Sequence, residues 1–185
     1  GLIRRRSMTL DDMANFFERE IDKRHRRTPY GYVDTVSLEK PGDASRWTQH
    51  DSDNDGLWTA MYGSGECFAW AATKDPAAKE RARKAFEALR FLGQVTEGGE
   101  HAPPVGFVAR SILPASGPDP NVARDTPERD RRMQETRDHA WKILKPRWPK
   151  SADGQWFWKA DTSSDELDGH YFFYANYYDL AADTP

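Results

Sequence analysis

The chain reads as a mainly α protein built of inner and outer helices, with extended loops and at most short strands. Three observations carry this. Two segments, Leu57 to Thr73 and Tyr171 to Leu180, are apolar on almost every side, the pattern of helices buried in a core. Pro76 to about Val95 has one apolar stripe, with Lys79, Arg81, Arg83, Lys84 and Glu87 over the rest, the pattern of a helix lying across a core. Lys74-Asp75-Pro76 stops one helix and starts the next, Asp75 serving as N-cap and Pro76 as first residue.

The first element is a helix over Thr9 to His25. Thr9 caps it, Asp11 and Asp12 follow, and Met13, Phe16, Phe17 and Ile21 share a face. Residues 28–47 are extended or irregular, broken by Pro29, Gly31, Pro41 and Gly42. Asp51 to Gly56 is a polar loop into the first buried helix. Beyond the amphipathic helix, Gly98, Gly99, Pro103 and Pro104 break the chain, and Gly106 to Leu113 reads as extended. A charged helix is predicted from Thr126 to Leu144. Trp156, Phe157 and Trp158 follow a turn, and Ser163 with Glu166 fits a capping box for the last helix.

Composition sets the outer limits. Lys and Arg number 27 against 30 Asp and Glu, a formal charge of −3. Only 37% of residues are hydrophobic and 31% are charged, yet 7 Trp, 9 Phe and 7 Tyr are too much apolar surface for a disordered chain. No apolar run approaches the roughly 18 residues of a membrane span, so no membrane partner is expected. The single cysteine, Cys67, excludes an internal disulfide and any multi-cysteine metal site, and its apolar setting makes it packing rather than nucleophile. The chain opens on Gly without a charged-then-apolar leader, so a native start upstream is expected.

The second buried helix echoes the first at an offset of 110 residues. Asp55 aligns with Asp165, Met61 with Tyr171, Tyr62 with Phe172, Phe68 with Tyr178, and the turn after Thr73 loosely with Asp183-Thr184-Pro185. A repeated hairpin follows. The chain stops where a second outer helix is due. The expected organisation is therefore a helix and irregular lead-in over 1–48, then a partial α/α toroid over 49–185 that packs against the remainder of its own chain.

Gly56 to Tyr62, Glu66 to Ala72 and Asp161 to Phe172 resemble inner helices of the (α/α) toroid, six-hairpin glycosidase-like proteins. The resemblance covers roughly residues 50–95 and 155–185 and rests on texture and motif placement. It implies a central cavity lined by inner-helix N-termini and action on, or binding of, glycans, often uronic-acid polymers. An extracytoplasmic location would accompany that.

The acids fit such chemistry. Asp55, Asp165 and Glu166 head the buried helices, where capping is the plain alternative. Four acids over Asp161 to Asp168 and three over Asp51 to Asp55 exceed what caps need. Carboxylates beside aromatics accept sugar hydroxyls, and an apolar setting turns one of them into a general acid. His170, four residues after Glu166, is a candidate for proton transfer or a core His satisfied locally. The catalytic candidates are thus Asp55, Asp165, Glu166 and His170. Trp58, Tyr62, Trp156, Trp158 and Tyr171 are candidate sugar-binding rings. Arg110, the lone charge of an apolar stretch, is a candidate fork for a uronate or a structural ion pair.

No cofactor is expected. Asp51, Asp53 and Asp55 resemble half of an EF-hand loop, but Tyr62 stands where the bidentate Glu belongs. A Ca²⁺ site on those oxygens competes with a solvated turn. The basic clusters at Arg4 to Arg6, Arg24 to Arg27 and Arg129 to Arg132 are interleaved with acids under a negative net charge, which argues for solvated helix faces and against a nucleic-acid partner. Carboxylate-catalysed hydrolysis of a glycan is expected over β-elimination, in which Tyr62, Tyr171 or His170 would be base. The reading from another class is a non-catalytic glycan-binding or structural helical domain.

Overall fold

The computed structural model describes residues 7–51 and 53–183, so Arg4, Arg5, Arg6, Ser52, Thr184 and Pro185 lie outside the described residues. Helix α1 (Leu10–Glu20) is capped by the Thr9 hydroxyl and runs into a π-helical turn, Ile21–His25. Strands β1 (Arg26–Arg27) and β2 (Tyr32–Val33) pair antiparallel, and so do β3 (Val36–Lys40) and β4 (Asp43–Gln49) in a projecting hairpin. Helices α2 (Asp55–Thr73) and α3 (Pro76–Gln94) follow. Then come β5 (Ile112–Pro114), the short α4 (Pro120–Ala123), α5 (Pro127–Thr136), β6 (Trp156–Trp158) and α6 (Ser164–Leu180). β5 and β6 pair antiparallel. Among the described residues no helix is long and apolar enough to cross a membrane.

Helices α2 and α3 form an antiparallel hairpin. Lys74 adopts the left-handed region (φ 57°), and the Asp75 carboxylate accepts the Ala77 N–H at 2.9 Å, which restarts the chain at Pro76. The stripe Ala78, Ala82, Ala85, Leu89 of α3 lies buried against α2.

α6 packs on the other flank of α2 and runs parallel to it. Gly56 meets Glu166, Leu57 meets Gly169, Gly63 meets Phe173, and Ser64 meets Asn176, all near the same offset. Small residues make this approach feasible. A Cβ built on Gly56 would lie 2.2 Å from Glu166 Oε1, and one on Gly169 2.9 Å from the Leu57 backbone. At Gly63 it would meet both neighbours, Phe173 Cζ at 2.6 Å and Ala85 Cβ at 2.9 Å. Ala60, Cys67, Ala82, Ala85, Leu89, Phe173 and Ala181 form this three-helix core. A second core joins the end of α3 to the strands through Tyr32, Leu92, Val95, Ala109, Ile112 and Trp158.

Several expectations are corrected. Because α2 and α6 meet through their small residues, the large ones point elsewhere. Trp58 is 46% exposed, Met61 52%, Phe68 50%, Tyr171 69% and Tyr178 60%, so neither helix is buried all round. The predicted helix 126–144 ends at Thr136. Beyond it the fully buried Asp130 gathers the Trp141 indole N–H (2.9 Å), the Leu144 N–H (3.4 Å) and Arg147, holding the chain as an irregular loop. The extended segment 106–113 shrinks to Ile112–Pro114. The Ser163 side chain does not cap α6, and Glu166 reaches across to α2 in place of closing a capping box.

Candidate functional site

The N-termini of α2 and α6 open side by side because the helices are parallel. At α2, the Glu166 carboxylate accepts the Gly56 N–H (2.5 Å, Oε1) and the Leu57 N–H (3.1 Å, Oε2). It thereby satisfies two of the amides a helix start leaves without intrahelical partners. Glu166 is fully buried. His170 lies one turn on, its Nε2 3.8 Å from Glu166 Oε1 and its Nδ1 3.0 Å from the Tyr174 hydroxyl, and it is 1% exposed.

Beneath this mouth sits a buried ion network centred on Arg27. Its guanidinium donates to both oxygens of Asp55, to Asp34 Oδ2 (2.8 Å) and to the Ile112 carbonyl (2.7 Å). Asp55 Oδ2 also accepts the Ser111 hydroxyl and the Ile112 N–H, each at 3.1 Å. The Ser111 oxygen also lies 2.6 Å from Asp51 Oδ1, so its one proton is shared between the two carboxylates, and Arg124 donates to Asp51 Oδ2 at 2.9 Å. Burial pushes the Asp55 carboxyl up to about 8 against the pull of Arg27. Asp51, though buried, is held below the usual range by Ser111, Arg27 and Arg124.

Oxygens of Asp34, Asp51 and Asp55 lie within 4.8 Å of one another, so this triad could hold a metal ion. The Arg27 guanidinium occupies both oxygens of Asp55 and Oδ2 of Asp34, so a cation would have to compete with it.

Nearer the surface, Asp53 and Asp161 approach through two shared cations. Lys159 Nζ is 2.6 Å from Asp53 Oδ2 and 3.7 Å from Asp161 Oδ1. Arg110 donates to both backbone carbonyls, Asp53 at 2.7 Å and Asp161 at 3.4 Å. Asp53 sits in the left-handed region (φ 64°), an uncommon conformation for a residue other than Gly. Asp161 also pairs with the buried Arg147. Burial pushes the Asp161 carboxyl above its ordinary value against Lys159, Arg147 and Arg110. Asp165, exposed at the first turn of α6, is held below its ordinary value by the Ser163 hydroxyl, with Arg110 adding to that.

The other candidates are dispersed. Tyr62 donates to Glu18 (2.6 Å), accepts from Arg26 (2.7 Å) and lies under the Arg26 guanidinium; burial and Glu18 push its phenol well up. Trp156 packs on Tyr30 and Phe91, and Trp158, 3% exposed, packs on Phe107 in the second core. Trp58 and Tyr171 present their rings to solvent.

Sequence reasoning passed over Arg27, Asp34 and Ser111. A signal existed, since Asp34 shares the strand face of Tyr32 and so points into the core. Asp161 was counted among the acids without a role of its own. No protein-family model matches the chain, and no curated protein or solved structure matches it either.

Proposed function

We propose that the chain carries the glycan-processing face of an (α/α) toroid, acting by carboxylate acid/base hydrolysis at the mouth shared by α2 and α6. One observation carries the reading. Asp161 and Asp165 lie four residues apart under the influence of the same Arg110, and their surroundings push them in opposite directions, Asp161 up and Asp165 down. That divergence is what a general acid and its ionised partner require. Asp161 is assigned as acid and Asp165 as base or nucleophile. Trp58, half exposed at the start of α2, is assigned to the sugar, and Arg110 orients the acids. Asp55 and Glu166 hold the mouth together from beneath.

Elimination is the second reading. Two of its three candidate bases are poorly placed, because Tyr62 is engaged by Glu18 and Arg26 and His170 is buried, which leaves the exposed Tyr171. A non-catalytic glycan-binding domain is the third. A Ca²⁺ ion on Asp51, Asp53 and Asp55 is a lesser reading, since Arg27, Ser111 and Arg124 already use the oxygens of Asp51 and Asp55.

The deciding experiment incubates the protein with neutral and uronic-acid polysaccharides. It follows new reducing ends and, separately, the near-ultraviolet absorbance of an unsaturated uronide. Reducing ends without that absorbance, lost in Asp165→Asn at unchanged melting temperature, are expected. Absorbance would transfer the case to elimination, and no turnover on any polymer would leave the binding domain.

A further inference from the structure

The loop that replaces the predicted helix beyond Thr136 builds a cleft of about 380 Å³ beside Asp161, within the range of small-ligand sites. Asp138, Trp141, Lys142 and Arg147 line it from the loop, together with Phe107 and Asp161.

Its central ring is held in advance. The Trp141 indole N–H is fixed by the fully buried Asp130, and the Arg147 guanidinium lies over the ring, 5.1 Å from its centroid. Arg147 is itself 2% exposed and tied to Asp130, Asp161 and the Lys142 carbonyl (2.6 Å). Such locking reduces the ordering cost of binding. With Asp161 holding its proton as the assigned acid, the charges around the cleft cancel, Asp138 against Lys142 and Arg147 against the buried Asp130. A charged ligand therefore gains little there. An uncharged ring with one apolar face and hydroxyls on its rim matches an aromatic wall flanked by paired donors and acceptors.

We propose that this cleft is a subsite for a neutral sugar residue, stacked on Trp141 beside Asp161. The ligand class and the charge balance rest on the glycan reading above; the cleft does not. The subsite places an uncharged residue next to the assigned acid, so the polymer processed is neutral at that position.

Saturation-transfer NMR with methyl β-D-glucopyranoside, methyl β-D-xylopyranoside and methyl β-D-galactopyranoside tests this, with glucuronate as the charged control. At least one neutral glycoside should bind, more tightly than glucuronate, and should shift the Trp141 indole N–H resonance. Trp141→Ala should weaken binding about tenfold, the worth of one stacked ring, whereas Trp141→Phe, which keeps a face but loses the N–H, should stay within about threefold. Should the Ala variant fail to fold, the Phe variant and the indole shift decide. Absence of binding by every neutral glycoside, preference for glucuronate, or a folded Trp141→Ala with full affinity would overturn the subsite. Polysaccharide turnover with that last result would leave the parent reading standing, whereas binding lost in Trp141→Ala without turnover of any polymer would sink hydrolysis and keep the subsite.

Discussion

Glu166 caps a helix that is not its own: its carboxylate takes the Gly56 N–H at 2.5 Å, across 110 residues of chain. Replacing Glu166 by Ala would leave the Gly56 and Leu57 amides buried or half-buried without that acceptor, a loss of about 1–3 kcal/mol. Glu166→Gln keeps one oxygen and should lose less. Urea unfolding of the two variants, read as midpoints at constant slope, checks the order.

Glycine serves α2 differently at two positions of the same turn. Gly63→Ala would drive a methyl to within 2.6 Å of the Phe173 ring and 2.9 Å of Ala85 and should destabilise by about 1–3 kcal/mol. Gly65→Ala meets nothing within 4 Å and should stabilise by about 0.5–1 kcal/mol, because Ala loses less backbone entropy in a helix. Opposite shifts in melting temperature are the expected result; like shifts would contradict the packing.

Arg27 pairs with two buried carboxylates, Asp34 and Asp55. Arg27→Met should cost about 3–5 kcal/mol, since it removes the guanidinium from a buried, hydrogen-bonded ion network. A variant that melts with the parent protein would show the network to be dispensable.

The raised Asp55 carboxyl makes stability depend on pH. Unfolded, the group titrates near 3.8, and folded it titrates near 8. Between those values the native state holds the extra proton, so the Asp55 contribution is fullest below the lower value and is lost as pH rises toward the upper one. Thermal unfolding across that window should show melting temperature falling with pH, and the slope should flatten in Asp55→Asn.

Chelation addresses the carboxylate triad directly. With Arg27 seated on Asp34 and Asp55, removal of divalent ions should leave the melting temperature unchanged. A drop on adding a chelator, restored by Ca²⁺, would show that a cation displaces the guanidinium.

That α2 and α6 are neighbours was legible in their echo at an offset of 110 residues, from Asp55 and Asp165 onward. The glycines that carry the contact, Gly56, Gly63 and Gly169, were not, because a glycine shows its neighbour only once the helices are packed. The exposure of Trp58 and Tyr171 was not legible, since a helix apolar all round does not disclose which side its neighbour takes. Nor was the loop after Thr136, whose helical pattern yields to the buried Asp130 once Trp141 and Arg147 close on it. Arg27 was read as part of a solvated helix face, yet it lies on β1, opposite Tyr32, with Asp34 beyond the pair. Local patterns show that a charge is present and leave its distant partner unnamed.

The cross-helix cap also orders events in time. α2 and α3 are adjacent in sequence and can pair as soon as both exist, whereas the acceptor for the first amides of α2 is made 110 residues later. Contacts so distant along the chain form slowly, after loop closure has been overcome. Until α6 docks, the small-residue flank of α2 and its first amides face water, so the α2–α3 hairpin is a platform that waits. Folding should therefore show an early hairpin phase and a late docking phase. Glu166→Ala should speed undocking more than it alters the first.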